Sequence, residues 1–343
     1  MSVKIGFVGL RNIGRGHARR LAGMDGVLVT GLCDTLPERL QATVDEVGDA
    51  PCFSDYDEML EKADMDAVVI SVPNHLHVPF GIKAMESGKD IYVEKPLAHC
   101  SEEAEKLIEA RDRTGRRALL GMSQRLNART LALRDYVAQE ELGKLYYGKA
   151  YWVRQEVNRS ILEARKDWQL TRESSGGGPV VDTGVHVLDR LLFLADFPKA
   201  LGVSARAFYG LGKKIAAGYG LDYAVEDFST GIIHFEDGFS ILLESSFFHS
   251  HPEAQQAGIE LYGHDGCCLN HEVYRKRNGS GYVQIEMPPA NGHASCAEEH
   301  FCRMLMGRES CIATLEQGLY VLKIIEAMYQ SADRDGAYVA IEG

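Results

Sequence analysis

The first 34 residues of the chain follow a pattern that few folds accommodate. An apolar, β-branched run over 3–8 leads directly into a turn bounded by Gly9 and Gly14, and after a helical stretch a second such run, 27–33, ends at Asp34. A strand, a glycine turn, a helix and a second strand, with an acid 20 positions after the last glycine, form the layout of a dinucleotide-binding unit. The pattern therefore predicts a Rossmann domain with a pyrophosphate at the helix N-terminus and Asp34 on the adenine ribose, which favours NAD over NADP.

One residue of this turn departs from the usual pattern, because Arg11 stands where a glycine is common. Either the turn has relaxed and the guanidinium lies beside the pyrophosphate or over the adenine, or the cofactor binds weakly or not at all. If the position needs a positive φ, a residue other than glycine costs about 1 kcal/mol, which a bound dinucleotide could offset. We interpret the turn as a working site and expect Arg11→Gly to keep or improve cofactor affinity.

Helices and strands alternate up to about residue 122. We predict a helix capped by Ser54, a strand over 67–72, a helix over 78–87, a strand ending at Glu94, a helix capped by Ser101 with Glu102 and Glu103 in its first turn, and a strand over 118–122. This order indicates a parallel, doubly wound sheet, in which ligands bind beyond the carboxyl ends of the strands.

The strand before Glu94-Lys95-Pro96 ends abruptly. Pro96 has no N–H to donate and stiffens the turn, so Lys95 is predicted to point to where cofactor and substrate meet. On these three residues alone, a solvated charge pair at a strand end is the simpler interpretation.

The second part of the chain has a different pattern of predicted secondary structure. After a helix over 129–139 we predict a strand over 145–156, an irregular stretch to 175, the glycine-rich turn 176–179, a helix to 194, strands over 202–209, 227–235, 239–248, 258–263 and 281–286, helices over 296–306 and 314–332, and a strand over 338–341. Strands with little helix between them indicate a mostly antiparallel sheet. We therefore predict an α/β chain of two domains, a Rossmann domain over 1–122 and an α+β domain with a large open sheet over 123–343.

Asp182 and His186 lie four residues apart at the start of the predicted middle helix, so they share one helical face. A carboxylate beside an imidazole fixes the orientation of the ring and raises its basicity, which suits a base that takes a proton from an alcohol. The alternative is a solvated polar stripe that also includes Asp189.

Composition narrows the possible partners and location. The formal net charge is −12, and the acidic residues are scattered, which argues against nucleic acid or an anionic membrane as a partner. No apolar run approaches the roughly 18–20 residues that span a bilayer, and the N-terminal apolar stretch is too short for a signal peptide, so we expect a cytoplasmic protein. The eight cysteines form no C-x-x-C motif, and the grouping of His293, Cys296, His300 and Cys302 fits no familiar zinc spacing, so no metal is predicted.

In their order and spacing, these motifs resemble the glucose–fructose oxidoreductase/inositol dehydrogenase family, Gfo/Idh/MocA. The resemblance spans nearly the whole chain. It rests on Gly9-x-x-x-x-Gly14, Pro73-Asn74-x-x-His77, Glu94-Lys95-Pro96, Gly176–Pro179, Asp182-x-x-x-His186, Glu226-Asp227-Phe228, the turn 261–266, and the closing helix and strand. It implies hydride transfer between nicotinamide and a carbinol carbon of a polyol, sugar or sugar derivative.

The resemblance also implies roles for individual residues. Lys95 corresponds to the lysine beside the nicotinamide, and Asp182 and His186 to a catalytic pair. The predicted cofactor-binding residues are Gly9, Arg11, Asn12, Ile13, Gly14, Asp34, Ser71, Pro73, Asn74, His77, Glu94 and Lys95. The predicted substrate-binding residues are Lys95, Arg125, Trp152, Arg154, Trp168, Asp182 and His186, with Asn127, Arg165 and Lys166 as further candidates. The number of cations among them favours a sugar acid or a phosphorylated sugar.

Two alternatives to a net dehydrogenase stay open. The protein could retain NAD and oxidise its substrate transiently, to cleave a glycoside, eliminate or epimerise, or it could be a non-enzymatic cofactor sensor. We further expect a homodimer or homotetramer, because few predicted helices cover the second sheet.

Overall fold

The computed structural model describes residues 2–155, 162–163, 165–277, 281–287 and 294–341. The chain forms two compact units, one of Met1–Leu126 with His293–Leu319 and the other of Asn127–Gly292 with Tyr320–Gly343. The return of a C-terminal segment to the first unit was not among the sequence predictions, and the proposed boundary after residue 122 stays a prediction.

The first unit is built on a parallel sheet. Its strands are β1 (Val3–Val8), β2 (Val27–Cys33), β3 (Cys52–Phe53), β4 (Ala67–Ile70), β5 (Asp90–Val93) and β6 (Ala118–Leu120). They run in the order β3-β2-β1-β4-β5-β6, so the direction of strand addition reverses between β1 and β4. The predicted Rossmann fold is confirmed, and this reversal is where such sheets bind dinucleotides.

Helices accompany these strands. They span Asn12–Ala22, Pro37–Val47, Tyr56–Lys62, His77–Glu86, Ser101–Thr114 and Ala297–Leu305. Two predicted caps were wrong: Asp55 caps the third helix, accepting the Glu58 N–H at 2.8 Å, and Ser101 is the first residue of its helix rather than the cap. An aspartate reaches the N3 amide as well as a serine does, so the adjacent pair was ambiguous.

The parallel strands are apolar on both faces. Ile5, Phe7, Val69 and Tyr92 are each at most 1% exposed. Helices on both sides of a parallel sheet produce this pattern, which explains why these strands appear as continuous apolar runs rather than as alternating ones. Each such side chain contributes about 1.5–3 kcal/mol by its burial.

The second unit contains a nine-stranded sheet. Its strands are β7 (Leu145–Arg154), β8 (Ala200–Phe208), β9 (Phe228–Phe235), β10 (Ser240–Ser246), β11 (Gln255–Gly263), β12 (Gly266–Leu269), β13 (Glu272–Lys276), β14 (Tyr282–Ile285) and β15 (Val339–Ala340). The order is β14-β13-β12-β11-β7-β10-β9-β8-β15, and only the β7–β10 pair is parallel among the described residues. The prediction of a mostly antiparallel sheet is confirmed.

The second unit also contains helices, and one of them, Val185–Leu194, packs against this sheet. Those of the second unit span Ala128–Ala138, Arg172–Ser175, Val185–Leu194 and Leu211–Ala217, and Leu315–Ala332 begins in the first unit and ends in the second. A side chain on Gly148 of β7 would come within 2.9 Å of Leu191, so the glycine lets the helix Val185–Leu194 approach the sheet closely. Across the described residues, every helix is too short or too polar to cross a membrane.

Candidate active site

The turn after β1 is shaped by two glycines. Gly9 has φ +84°, and a Cβ atom there would lie 2.5 Å from the Ser71 carbonyl oxygen, while a Cβ atom on Gly14 would collide with the Gly9 carbonyl oxygen. The helix that follows begins at Asn12, and the residue at its N-cap, Arg11, has no side-chain acceptor for the first N–H groups. Because the N-cap side chain does not accept from them, the first helix N–H groups suit an anionic group such as a pyrophosphate.

Arg11 itself is not strained. Its φ is −69° and its ψ is −172°, an extended conformation open to any residue. The cost considered for a positive φ therefore does not arise.

Asp34 lies just beyond the end of β2, as predicted. Its carboxylate accepts the Leu10 N–H at 2.8 Å and the Leu36 N–H at 3.0 Å, and the Arg39 guanidinium lies 3.5 Å away. These contacts fix an acidic group next to the glycine turn, where an adenine ribose lies in Rossmann folds.

The residues after β4 form a short turn. The Ser71 N–H donates to the Val8 carbonyl at 2.9 Å, and Pro73 precedes the 3₁₀ turn Asn74–Leu76, in which Asn74 is buried. The His77 ring lies 2.8 Å from the Pro96 carbonyl and 2.9 Å from the Val72 carbonyl, and burial lowers its pKa. His77 thus connects two loops at the carboxyl ends of β4 and β5.

Glu94 and Lys95 follow the last residue of β5 directly. Glu94 Oε1 lies 2.8 Å from His17 Nε2 and 3.3 Å from the Tyr92 hydroxyl, while Glu94 Oε2 accepts the Lys95 N–H at 3.2 Å. The Lys95–Pro96 peptide bond is cis. The loop that carries Lys95 is therefore tied to the helix that follows the glycine turn.

In the second unit, Asp182 lies in a π-helical turn, Val180–Gly184, that leads into the helix Val185–Leu194 with His186 in its first turn. The sequence predicts an α-helix here, and the structure differs in this one turn. Single π-helical turns inside helices are rare and frequent at functional sites.

Glu226 anchors this turn. Its buried carboxylate lies 3.0 Å from the Gly178 N–H, 3.4 Å from the Val180 N–H and 2.7 Å from the Tyr329 hydroxyl, and burial raises its pKa. Sequence reasoning noted Glu226 only as part of a motif and missed this role, which requires the contact between distant parts of the chain.

Five predicted residues gather around the turn. Arg165 Nη2 lies 3.1 Å from Asp182 Oδ2, the Trp152 ring lies 5.9 Å from the His186 ring, and the Arg154 guanidinium lies 5.7 Å from the Trp152 ring. Burial lowers the pKa of Arg154, and Asp182 opposes that shift. The second unit thus combines an imidazole, a carboxylate, two guanidinium groups and an indole in one cluster.

Other candidates have different surroundings. Arg125 is fully buried and donates to the Ile312 carbonyl at 2.8 Å and to Gln317, so we leave it out of the proposed substrate site. Asn127 caps the helix Ala128–Ala138 through the Arg129 N–H. Trp168 is half-buried, and Lys166 is exposed.

The cysteine and histidine grouping noted in the sequence has ordinary contacts. His300 pairs with Glu309 at 2.7 Å, and Cys302 is buried. No group of metal-binding side chains occurs in the described part of the chain, and His293 lies outside it.

Comparison with known proteins assigns both parts of the chain to one family. Residues 3–122 match "Oxidoreductase family, NAD-binding Rossmann fold", and residues 130–268 match "GFO/IDH/MocA C-terminal domain".

Among similar proteins is D-glucoside 3-dehydrogenase of Escherichia coli K12, 28% identical over 328 residues that cover 92% of this chain and 91% of the relative. A glycosyl hydrolase family 109 protein of Shewanella pealeana is 27% identical over 337 residues, covering 90% of this chain and 72% of the relative. The WlbA dehydrogenase of Bordetella pertussis, solved with NADH and UDP-GlcNAcA, shares the fold with a TM-score of 0.82 at 22% identity, with all of both chains covered. The chain belongs to the Gfo/Idh/MocA family of NAD-binding oxidoreductases.

Proposed function

We propose that this protein is an NAD-dependent dehydrogenase that acts on a carbinol carbon of a sugar, polyol or sugar derivative. The observation that carries the proposal is the cluster of the second unit, in which Asp182 and His186 lie one helical turn apart. The glycine turn and Asp34 fit a dinucleotide, and the family binds NAD.

In the proposed reaction, the glycine turn and Asp34 would hold NAD, which would supply the hydride acceptor. Removing a hydride from an alcohol also requires removal of the hydroxyl proton, and His186 is the base that takes it. Asp182 holds the imidazole in one orientation, and its contact with Arg165 keeps the carboxylate in place. Lys95 donates a hydrogen bond to the same substrate oxygen and stabilises the alkoxide charge that develops.

The cations around Asp182 bear on the substrate class. Arg154 and Arg165 both lie near this single carboxylate, so the cluster carries an excess of positive charge before a substrate binds. Guanidinium groups are suited to carboxylate and phosphate. We therefore extend the proposal to substrates that carry an acidic group.

Absorbance at 340 nm tests the proposed function. The protein is mixed with NAD⁺ and a panel of neutral polyols, neutral sugars, glucosides, sugar acids and sugar phosphates. NADH formation with one class is expected, and a larger kcat/KM for an acidic sugar than for its neutral counterpart supports the extension. No NADH formation with any class contradicts net dehydrogenation.

A second candidate function is transient oxidation with retained NAD. The similarity to a glycosyl hydrolase family 109 protein favours it. Cleavage of a nitrophenyl glycoside without accumulation of NADH, by protein that releases stoichiometric NAD when denatured, would support this candidate over a net dehydrogenase.

We expect NAD to bind at least about tenfold more tightly than NADP, which corresponds to 1.4 kcal/mol. Asp34 would lie beside the 2′-phosphate, and like charges about 4 Å apart near a surface repel by up to roughly 4 kcal/mol. Dissociation constants for both cofactors are measured by fluorescence titration. Asp34→Asn should bring the dissociation constants of NAD and NADP closer together. Equal or tighter NADP binding by the unaltered protein would show that Asp34 is not at the ribose.

We expect Arg11→Gly to retain the affinity for NAD within about threefold. The φ of −69° suits both residues, so the substitution relieves no strain and leaves the turn unchanged. The same titration measures it. A larger loss of affinity would identify the guanidinium as a ligand of the dinucleotide.

We expect a homo-oligomer formed through the second sheet. On one face of the sheet, three paired side chains of adjacent strands are partly exposed: Lys149, Leu242 and Ile232. The neighbouring residues Leu243 and Ile233 point to the opposite face and are fully buried. One sheet face thus exposes apolar side chains to solvent in the isolated chain. Light scattering should give a molecular mass that is a multiple of 37.9 kDa, and Ile232→Glu should lower this mass. A monomer at micromolar concentration would refute this expectation.

A further inference from the structure

A buried histidine on the first helix bridges two carboxylates. His17 is 4% exposed, with its Nε2 atom 2.8 Å from Glu94 Oε1 and its Nδ1 atom 2.7 Å from Glu298 Oε1. An ionised carboxylate only accepts hydrogen bonds, so both ring nitrogens must donate, and only the imidazolium carries two N–H groups. With both carboxylates ionised, these two contacts require a positively charged ring.

The electrostatics of the network agree with that charge. Burial opposes a charge on His17, but hydrogen bonds to Glu298 and Glu94 and the charges of both carboxylates raise its pKa to about 9. Burial also acts against ionisation of Glu298, yet its contacts with His17 and Arg20 lower its pKa to about 2. Glu298 is thus charged at neutral pH, and the charge of Glu94 is one of the causes that raise the pKa of the imidazole.

Three other side chains face this network: Arg20, Tyr92 and Cys296. Arg20 Nε lies 2.5 Å from Glu298 Oε1 and its Nη2 lies 3.3 Å from His17 Nδ1, so the two cations share one acceptor. Burial raises the pKa values of Tyr92 and Cys296, which keeps the phenol and the thiol neutral.

Glu94, which His17 holds in place, also contacts the main chain of Lys95. The carboxylate oxygen that does not face His17 accepts the Lys95 N–H at 3.2 Å. On the far side of the lysine, the Pro96 carbonyl lies 2.8 Å from the His77 ring. A Cβ atom on Gly121 would come within 2.9 Å of Glu94 Oε1, so the carboxylate is also tightly packed.

We propose that His17 is a positioning residue for Lys95, because its imidazolium fixes the Glu94 carboxylate, which in turn fixes the main chain of the lysine. This inference rests on the proposed function, since it affects turnover only if Lys95 contacts the reacting oxygen. Loss of a proton from His17 leaves one N–H for two carboxylates and a buried negative charge. The arrangement is intact below pH 9 and loosens as the pH rises through 9.

Kinetics of His17→Gln test the inference, since glutamine keeps a donor but not the charge. We expect kcat to fall by about 10²-fold, the scale of a 1 Å misplacement, with the NAD dissociation constant within about threefold. His300→Gln is the matched control, because His300 is equally buried in the same unit but pairs with Glu309. Unchanged kcat in His17→Gln, or equal losses of kcat in both variants, would overturn the inference.

Two further readouts separate positioning from simple destabilisation. The wild-type kcat should fall as the pH rises through about 9, and in Glu298→Gln this decrease should move to lower pH, because one anion that favours the imidazolium is gone. If kcat of Glu298→Gln falls at the same pH as kcat of the wild-type protein, the inference is overturned.

The charge of His17 can be measured without turnover. Ring ¹⁵N chemical shifts of the wild-type protein, assigned through Glu298→Gln, should show an imidazolium at pH 8. A neutral His17 at pH 8 overturns the inference, whereas absence of turnover with every substrate class counts against the proposed function and leaves the ¹⁵N result to decide this inference.

Discussion

His186→Ala is expected to lower kcat by about 10²–10⁴-fold, the usual contribution of a positioned base. The NAD dissociation constant should stay within about threefold, because the residues expected to hold the dinucleotide lie in the first unit. NADH formation gives kcat and KM, and fluorescence titration gives the dissociation constant. Asp182→Asn keeps the size of the side chain but removes its charge, so its loss of kcat should be smaller than that of His186→Ala.

His264→Ala is the matched control, since His264 is an exposed histidine of the same unit, and its kcat should equal that of the unaltered protein. Partial recovery of His186→Ala on addition of imidazole would support a role in proton transfer. A variant that retains more than about a tenth of the wild-type kcat would contradict the role of His186 as the base.

Lys95→Met is expected to lower kcat by about 10²–10³-fold, the effect of removing one donor to a developing oxyanion. Methionine keeps an unbranched side chain of similar length, so the packing of the loop should change little. KM for the substrate and the dissociation constant of NAD should change much less than kcat, because the interaction strengthens mainly as alkoxide charge develops.

Lys89→Met provides the comparison, because Lys89 precedes the same strand, β5, at its opposite end and donates to the Met65 carbonyl at 2.8 Å. It should cost stability but leave kcat unchanged. If Lys95→Met instead raises the NAD dissociation constant by the same factor by which kcat/KM falls, Lys95 binds the cofactor and not the substrate oxygen.

Much of the fold was predictable because its signals are local. The glycine turn, Asp34 and the apolar runs of β1, β2, β4 and β5 lie where the sequence indicates. The helix Pro37–Val47 was not predicted, although the proline in its first turn is a recognised start signal. The hairpin of β12 and β13 was also missed, because its turn depends on Asn270 in a left-handed conformation, with φ +58°.

The candidate site was predictable at the level of residue types but not of contacts. Asp182 and His186 share a helical face by their spacing alone. The partners that fix the site come from far along the chain: Glu226 binds Gly178, and Glu298 binds His17, 281 residues apart. The hydrophobic periodicity of a sequence does not indicate contacts between such distant residues. The complete burial of Arg125 was not predictable for the same reason, because its partners Ile312 and Gln317 are distant in the sequence.

We propose that Lys95 and the Asp182–His186 pair act on one substrate oxygen. A crystal structure of the protein with NADH and a substrate found in the panel tests this most directly. We expect Lys95 Nζ and a ring nitrogen of His186 both to lie within about 3 Å of the same hydroxyl oxygen, with Asp182 beside the imidazole. A His186 ring that packs into the core, or an oxygen that contacts only one of the two residues, would contradict it.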